Sequence, residues 1–303
     1  MLDADDTALV LEACAHRGTA TVASWMSVWR AHPPAAGWPH ELRRLAGLAT
    51  GAGAPAREGG RLADGPWRAV VLADAAYPTR LWECLGAAAP PLLFARGPAA
   101  LLDAPSIAII GTRTPSADSV AATAAYAAEL VARGFTVVSG NAPGIDAAAH
   151  GAAVSAGGAT VVFPAAPPDA FSPAFDADAA EERMVVLSRF EPGAAVRPWF
   201  FLARNELVAA HCRAAIIAET GARGGTLNTL MRLREYGRPV FALRLPEGNP
   251  NRDIPRLLVA GDVAMLPLRP DESALGMLEE SAYRARPVAT GLTEDLFAHG
   301  DAP

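Results

Sequence analysis

Lysine is absent: all 26 basic residues of the 303-residue chain are arginine. Every cation is therefore a planar, permanently charged fork that can meet two oxygens of an anion at once. Positive charge is also outnumbered, with 32 acidic residues and a formal net charge of −6. The chain as a whole does not attract a polyanion, so any such site must be a local arginine patch on an acidic body. Cysteine is scarce. Cys14, Cys84 and Cys212 lie far apart and form no Cys-x-x-Cys pair, which argues against structural zinc and for a reducing compartment. Long apolar runs are missing, and the acidic start Met1-Leu2-Asp3-Ala4-Asp5-Asp6 lacks a secretory pattern. A cytoplasmic protein without a membrane span is expected. No Gly-x-Gly-x-x-Gly follows a predicted strand, and the histidines show no metal-ligand spacing, so neither cofactor nor metal is expected.

What is present is a folded chain, 51% apolar and 19% charged. Residues 1–50 read as a small helical domain, with Leu9, Val10, Ala13 and Cys14 on one face and Val22, Trp25, Met26 and Trp29 on a second stripe. Such a domain either contacts a partner or caps the core. Residues 51–65, rich in Gly and Ala, read as a linker. Residues 66–268 form the main domain, and 269–303 a short tail with candidate helices at 273–284 and 293–299. Within the main domain, Ala69-Val70-Val71-Leu72 opens as a strand, and Tyr77 and Phe94 read as packing residues.

From Ile107 onward, short apolar runs alternate with helix-length segments. Strands are predicted at 107–111, 135–139, 159–163, 184–188, 214–218, 239–243 and 263–266. Helices are predicted at 118–132, 145–156, 174–182, 201–210, 226–236 and 252–260, with Gly134, Gly157 and Gly237 placed as C-terminal caps. The fold class is α/β: a doubly wound, mostly parallel Rossmann-like sheet covered on both faces.

Three strand–turn–helix junctions stand out. They are Ile107–Ile110 followed by Gly111-Thr112-Arg113-Thr114-Pro115-Ser116, Phe135–Val138 followed by Ser139-Gly140-Asn141-Ala142-Pro143-Gly144, and Ala214–Ala218 followed by Gly221-Ala222-Arg223-Gly224-Gly225-Thr226. Each aims free backbone N–H groups outward, and parallel strands bring all three turns to one edge of the sheet. That edge is the expected phosphate site, with Arg113 and Arg223 as its cations. Asp146 and His150, four apart on one helix, could hydrogen-bond, but a structural role at the helix start is favoured over acid–base chemistry. His211 and Cys212 are adjacent and make a poor nucleophile–base pair.

These residues also carry a resemblance. Gly111-Thr112-Arg113, Ser139-Gly140 with Gly144-Ile145-Asp146-Ala147-Ala148-Ala149-His150, Arg204-Asn205 and Gly225-Thr226-Leu227 occur in the order and spacing of the DprA/Smf DNA-processing family, over roughly Trp67 to Leu268. The resemblance implies a non-catalytic protein that binds single-stranded DNA and hands it to a RecA-type recombinase during natural transformation or recombination, as a homodimer. It places Gly111, Thr112, Arg113, Ser139, Gly140, Asn141, Gly144, Arg204, Asn205, Arg223, Gly224, Gly225 and Thr226 along the DNA and phosphate groove. It also implies a tail too short for the winged-helix domain that some members carry.

The chain departs from the family pattern at three positions. Pro143 and Glu206 stand where arginines are usual, and Leu202 where a proline is usual. The consequence is weakened binding, charge supplied from elsewhere (Arg189 and Arg197 are candidates), or an altered ligand. Phe163, Phe171 and Trp199 are candidate stacking surfaces for bases, each with packing as the competing role. The alternative function is a nucleotide sensor or a phosphoribohydrolase-like enzyme on a related fold. Such hydrolases carry Gly-Gly-x-Gly-Thr-x-x-Glu with an active-site glutamate; here Gly224-Gly225-Thr226 lacks the internal glycine, Thr229 occupies the glutamate position, and Glu235 comes too late.

Overall fold

Apolar side chains alternate along the central strands, and the alternation sorts them into two cores. Ile107, Ile109, Val137, Ala214, Ile216, Phe241 and Leu243 turn to one face. Ala108, Ile110, Val138, Ala215, Ile217, Val240 and Ala242 turn to the other. A strand apolar on both faces has to be covered on both, and a parallel sheet with crossover helices does this. A computed structural model describes residues 66–71, 76–178, 180–252 and 263–285 of the chain. It shows such a sheet.

Its nine strands are β1 (Trp67–Val71), β2 (Leu92–Arg96), β3 (Ser106–Ile110), β4 (Thr136–Ser139), β5 (Thr160–Val162), β6 (Met184–Ser188), β7 (Ala214–Ile217), β8 (Val240–Leu243) and β9 (Ala264–Leu266). They lie in the order β1-β2-β6-β5-β4-β3-β7-β8-β9. The seven from β6 to β9 run parallel, while β1 and β2 add an antiparallel edge. The helices are α1 (Thr79–Leu85), α2 (Ala117–Ala132), α3 (Ile145–Ser155), α4 (Pro198–His211), α5 (Gly225–Glu235) and α6 (Glu272–Arg284). Leu81, Leu207, Val208, Leu230 and Leu233 bring α1, α4 and α5 onto one face. Tyr126, Leu130, Ile145, Ala149, Leu275 and Leu278 bring α2, α3 and α6 onto the other.

The chain winds outward from β3 through β4, β5 and β6, then returns along α4 to start β7 on the other side of β3. The strand order therefore reverses between β3 and β7, and a crevice opens there at the C-terminal ends of the strands. Glycines Gly134, Gly157 and Gly237 follow their helices with φ of 81°, 79° and 63°, the left-handed turn expected of such caps.

The elements differ from the sequence reading in several places, among them strand β2, which it did not include. The helix expected over 174–182 does not form among the described residues of that segment, which is irregular. Local bonds win over helical ones there: the Asp176 carboxylate accepts from the Asp178 N–H at 3.2 Å, and the Asn141 side chain holds the Ser172 carbonyl and the Ala174 N–H. Helix α4 begins at Pro198 rather than 201, with proline in the first turn, where its missing N–H costs nothing. Arg204 and Asn205 consequently sit in the second turn instead of the first. Helix α1, absent from the sequence reading, packs Leu81 and Leu85 under the antiparallel edge. Tyr77 and Phe94 are buried, and the Tyr77 hydroxyl donates to the Pro90 carbonyl at 2.8 Å. The N-terminal helices, the linker before Pro66 and the helix expected over 293–299 lie outside the described residues, as does 253–260 of another.

Candidate functional site

The reversal between β3 and β7 places two of the three turns side by side, and α4 closes the space behind them. The result is a cleft of about 450 Å³ lined from β3 by Gly111, Thr112 and Arg113, and from β7 and α5 by Thr220, Gly221, Arg223, Gly224, Gly225, Thr226 and Thr229. The β4 turn contributes Gly140, Ala142 and Asp146, and α4 contributes Phe201, Leu202, Arg204, Asn205 and Val208. Ser139, Asn141 and Gly144 are the predicted residues that do not line it. The Ser139 hydroxyl is buried and donates to the Ile109 carbonyl at 2.7 Å. Asn141 sits at φ 61° with its amide spent on the 172–174 segment. Gly144, at φ 86°, lets the β4 turn press against the Thr112 and Arg113 backbone, where a Cβ would collide. These three residues build the turn.

The three predicted arginines and Asn205 divide into two pairs. Arg113 and Arg223 are exposed. Arg113 lies 4.9 Å above the Phe201 ring, a cation–π contact that orients the guanidinium. Arg204 and Asn205 are 5% and 6% exposed. Arg204 Nη1 lies 3.5 Å from Asp146 Oδ2 and from the Phe163 carbonyl, and Asn205 Nδ2 donates to the Gly225 carbonyl at 3.1 Å. Asp146 in turn accepts from the Gly140 and Ala142 N–H groups at 3.2 and 3.3 Å. Arg204 and Asp146 thus brace the β4 turn from beneath. Burial pushes the Asp146 carboxyl up and the Arg204 guanidinium down, and each opposite charge counters the other's shift.

The hydrogen bond between Asp146 and His150 does not form. His150 Nδ1 lies 2.6 Å from Thr160 Oγ1, whose own proton goes to the Val137 carbonyl, so Nδ1 is the protonated nitrogen. The imidazole is fully buried and stacked on Phe175. Burial, aided by Arg204, lowers its pKa to about 3. On acidification the unfolded chain therefore takes up a proton on His150 near pH 6.5, while the folded chain does not. Unfolding free energy is expected to fall with acidification below pH 6.5, by about 1.4 kcal/mol per pH unit from this group, until the pH reaches about 3. Urea midpoints at neutral pH and at pH below 6 test this, and an unchanged midpoint counts against a neutral buried His150. His211 acts in the same direction, being held well below its ordinary value by burial.

The departures from the family pattern also find places. Glu206 turns away from solvent into a pair with Arg189, at 2.9 Å, and accepts from the Tyr236 hydroxyl at 3.4 Å. Arg189 is consumed by that pair and supplies nothing to the cleft. Arg197 is exposed at the start of α4, and Leu202 is 52% exposed at the cleft edge. Phe163 is fully buried and Phe171 rests edge-on against Trp67, whereas Trp199 is 40% exposed.

One central residue escaped the sequence reading. Glu219 lies two residues after β7, is 3% exposed, and its carboxylate accepts from the Ser116 N–H and hydroxyl and from Asn251 Nδ2, at 2.9, 2.7 and 2.9 Å, with Asn249 Nδ2 at 3.4 Å. Its carbonyl accepts from the Thr112 N–H at 2.8 Å. Burial alone would raise its pKa, but these donors outweigh it and pull it down to about 2. Glu219 thus ties the Arg113 turn, the N-cap of α2 and the 249–251 loop to the strand that leads to Arg223. An acidic residue immediately after an apolar run was the available signal.

Residues 68–269 match the family described as DNA recombination-mediator protein A. The chain belongs to that family. It is 38% identical over 177 residues to the DNA processing protein DprA of Streptococcus pneumoniae, covering 56% of this chain and 60% of that protein. It is 39% identical over 201 residues to a putative DNA processing protein DprA of Mycobacterium tuberculosis, covering 63% of this chain and 51% of that one. The chain thus spans between half and two thirds of the length of these relatives. The crystal structure of S. pneumoniae DprA superposes with a TM-score of 0.59 at 33% identity, over 65% of this chain and 70% of that one. A DprA structure from Helicobacter pylori, described for its single-stranded DNA binding mode, shares the fold with a TM-score of 0.59 at 24% identity, over 73% of this chain and 97% of that one. The Rossmann-like sheet is the element shared with the S. pneumoniae structure. Among the described residues, no helix is long and apolar enough to cross a membrane.

Proposed function

We propose that this member of the DNA recombination-mediator protein A family binds single-stranded DNA in the cleft between β3 and β7 and passes it to a RecA-type recombinase. The observation that carries the reading is the pair Arg113 and Arg223. Each projects from a turn on its own side of the strand-order reversal, exposed and without an acidic partner among the described residues. On a chain of net charge −6, two free cations at the mouth of one cleft form a local anion site. Backbone N–H groups at the start of α5, beginning with Gly225, add donors of the same sense. Arg204 and Asn205 shape the wall, and Glu206 is neutralised by Arg189, so the acid at that position does not repel phosphate. A working unit of two chains completes the proposal.

Binding of labelled oligothymidylate against its duplex over a salt series tests it. Single strands bind preferentially, and affinity falls as salt rises. Arg113→Ala and Arg223→Ala each weaken binding by ~5- to 20-fold and reduce the slope of log K against log salt by about 0.7. Absence of binding by the wild type at low salt overturns the reading and leaves a free nucleotide as the ligand of the cleft. Hydrolysis of such a nucleotide is not favoured: the Thr229 hydroxyl is spent on the Gly225 carbonyl, and Glu235 pairs with Arg232 on the last turn of α5.

A further inference from the structure

The cleft has an apolar ledge at its edge. Val196, Trp199 and Leu202 are 48%, 40% and 52% exposed, three of the few large apolar side chains so exposed among the described residues. Trp199 and Leu202 are three apart on α4 and therefore neighbours on one helix face. Leu202 also lines the cleft, so the ledge continues its wall outward. The indole is held in place: Phe190 and Phe200 stack at 3.8 Å, and Trp199 meets them in T-shaped contacts at 5.7 and 4.5 Å. A rigid, partly open aromatic ring loses little freedom when a flat ligand lands on it. Arg197 is exposed two residues before it, and Arg113 caps Phe201 beside Leu202. The ledge thus pairs apolar surface with cations on both sides.

We infer that Trp199, with Leu202, is a stacking platform for bases of a single strand that leaves the cleft along the start of α4. The inference rests on the cleft holding single-stranded DNA. A cleft of about 450 Å³ accommodates little more than a nucleotide or two, so a longer strand must exit, and its bases then seek a planar surface. The alternation of arginine with exposed aromatic and aliphatic side chains matches the alternation of phosphate and base along an unpaired strand. A duplex hides its base faces and gains nothing from the ledge.

Oligothymidylates of graded length, titrated against the full chain with tryptophan fluorescence as a second readout, test the inference. Wild-type affinity rises once the strand outgrows the cleft, and the long strand quenches tryptophan emission. Trp199→Ala binds the short strand as wild type does and the long strand ~5- to 20-fold more weakly. Trp199→Phe keeps most of the long-strand affinity and loses the quench. Val196→Ser, on the ledge but outside the cleft lining and leaving the aromatic cluster intact, also weakens the long strand selectively and guards against misfolding of the tryptophan variant. Equal long-strand affinity in Trp199→Ala, or an unaltered quench in Trp199→Phe, overturns the platform. A change of oligomeric state in Trp199→Ala with unchanged long-strand affinity also overturns it, and makes the ledge a protein contact. Failure of the short strand to bind wild type is a different result: it sinks the cleft reading itself.

Discussion

Glu219→Ala is expected to lower the free energy of unfolding by about 3 kcal/mol near neutral pH, read from urea denaturation. The groups that bond this carboxylate all donate to it: the Ser116 backbone N–H and hydroxyl, Asn249 Nδ2 and Asn251 Nδ2. Alanine leaves them facing a small void at a site where Glu219 itself is 3% exposed. The Ser116 N–H lies at the start of α2, where intrahelical partners do not exist, so the loss falls on a helix terminus as well. Glu219→Gln should be intermediate, since one acceptor oxygen survives but the new amide N–H₂ confronts existing donors. The sign of the pH dependence follows from a folded pKa of about 2 against an ordinary 4.5. The gap between wild type and Glu219→Ala is complete above pH 4.5 and narrows as the pH falls toward 2. A second consequence is functional. The carboxylate fixes Ser116, which ends the Arg113 turn, so both glutamate variants should weaken single-strand binding although Glu219 does not line the cleft. A Glu219→Ala protein within about 0.5 kcal/mol of wild type would show that the network is held by its other bonds.

Why the partners of Glu219 were invisible in the sequence while the sheet was legible is a matter of range. Residues such as Ile107–Ile110 and Ala214–Ile217 report their state locally: a short unbroken apolar run, ended by a glycine-bearing turn, favours a strand covered on both faces. The turns were legible for the same local reason, because glycine after a strand and before a helix marks a close approach of backbone. Partners of a polar side chain are set by contacts far apart in the chain. Glu219 meets Ser116 from 103 positions away, and Arg204 meets Asp146 from 58. No periodicity encodes those pairs. The resemblance placed Arg204 in the groove, and only the geometry shows its guanidinium turned under the turn. The failed helix at 174–182 is the converse error. Its alanines favour a helix locally, but the Asp176 carboxylate and the reach of Asn141 offer the backbone better partners.

Asp146→Ala carries the largest expected loss, about 3 to 5 kcal/mol, because it strands the Arg204 guanidinium without its counter-charge in the interior. The two side chains are 7% and 6% exposed, so water cannot replace the lost carboxylate without opening the β4 turn. Gly140→Ala attacks the same pair from the other side. A Cβ at Gly140 would overlap the Arg204 guanidinium, so the arginine must leave its seat for the turn to keep its course. Removing both charges together should be far milder. The double change Asp146→Leu with Arg204→Met is expected to recover most of the loss, since an apolar pair of similar volume needs no counter-ion. The Gly140 and Ala142 N–H groups that Asp146 accepts set the residual cost. A double-mutant cycle in urea measures all four states. It also decides what Arg204 does. If its charge meets phosphate directly, the double variant loses about 0.7 from the salt slope of single-strand binding, as Arg113→Ala does. A guanidinium committed to Asp146 and the Phe163 carbonyl instead leaves the slope unchanged, and that is the expected result. Arg113 and Arg223 then remain the cations that meet the strand, and the motif arginine of α4 serves to hold still the turn beneath it.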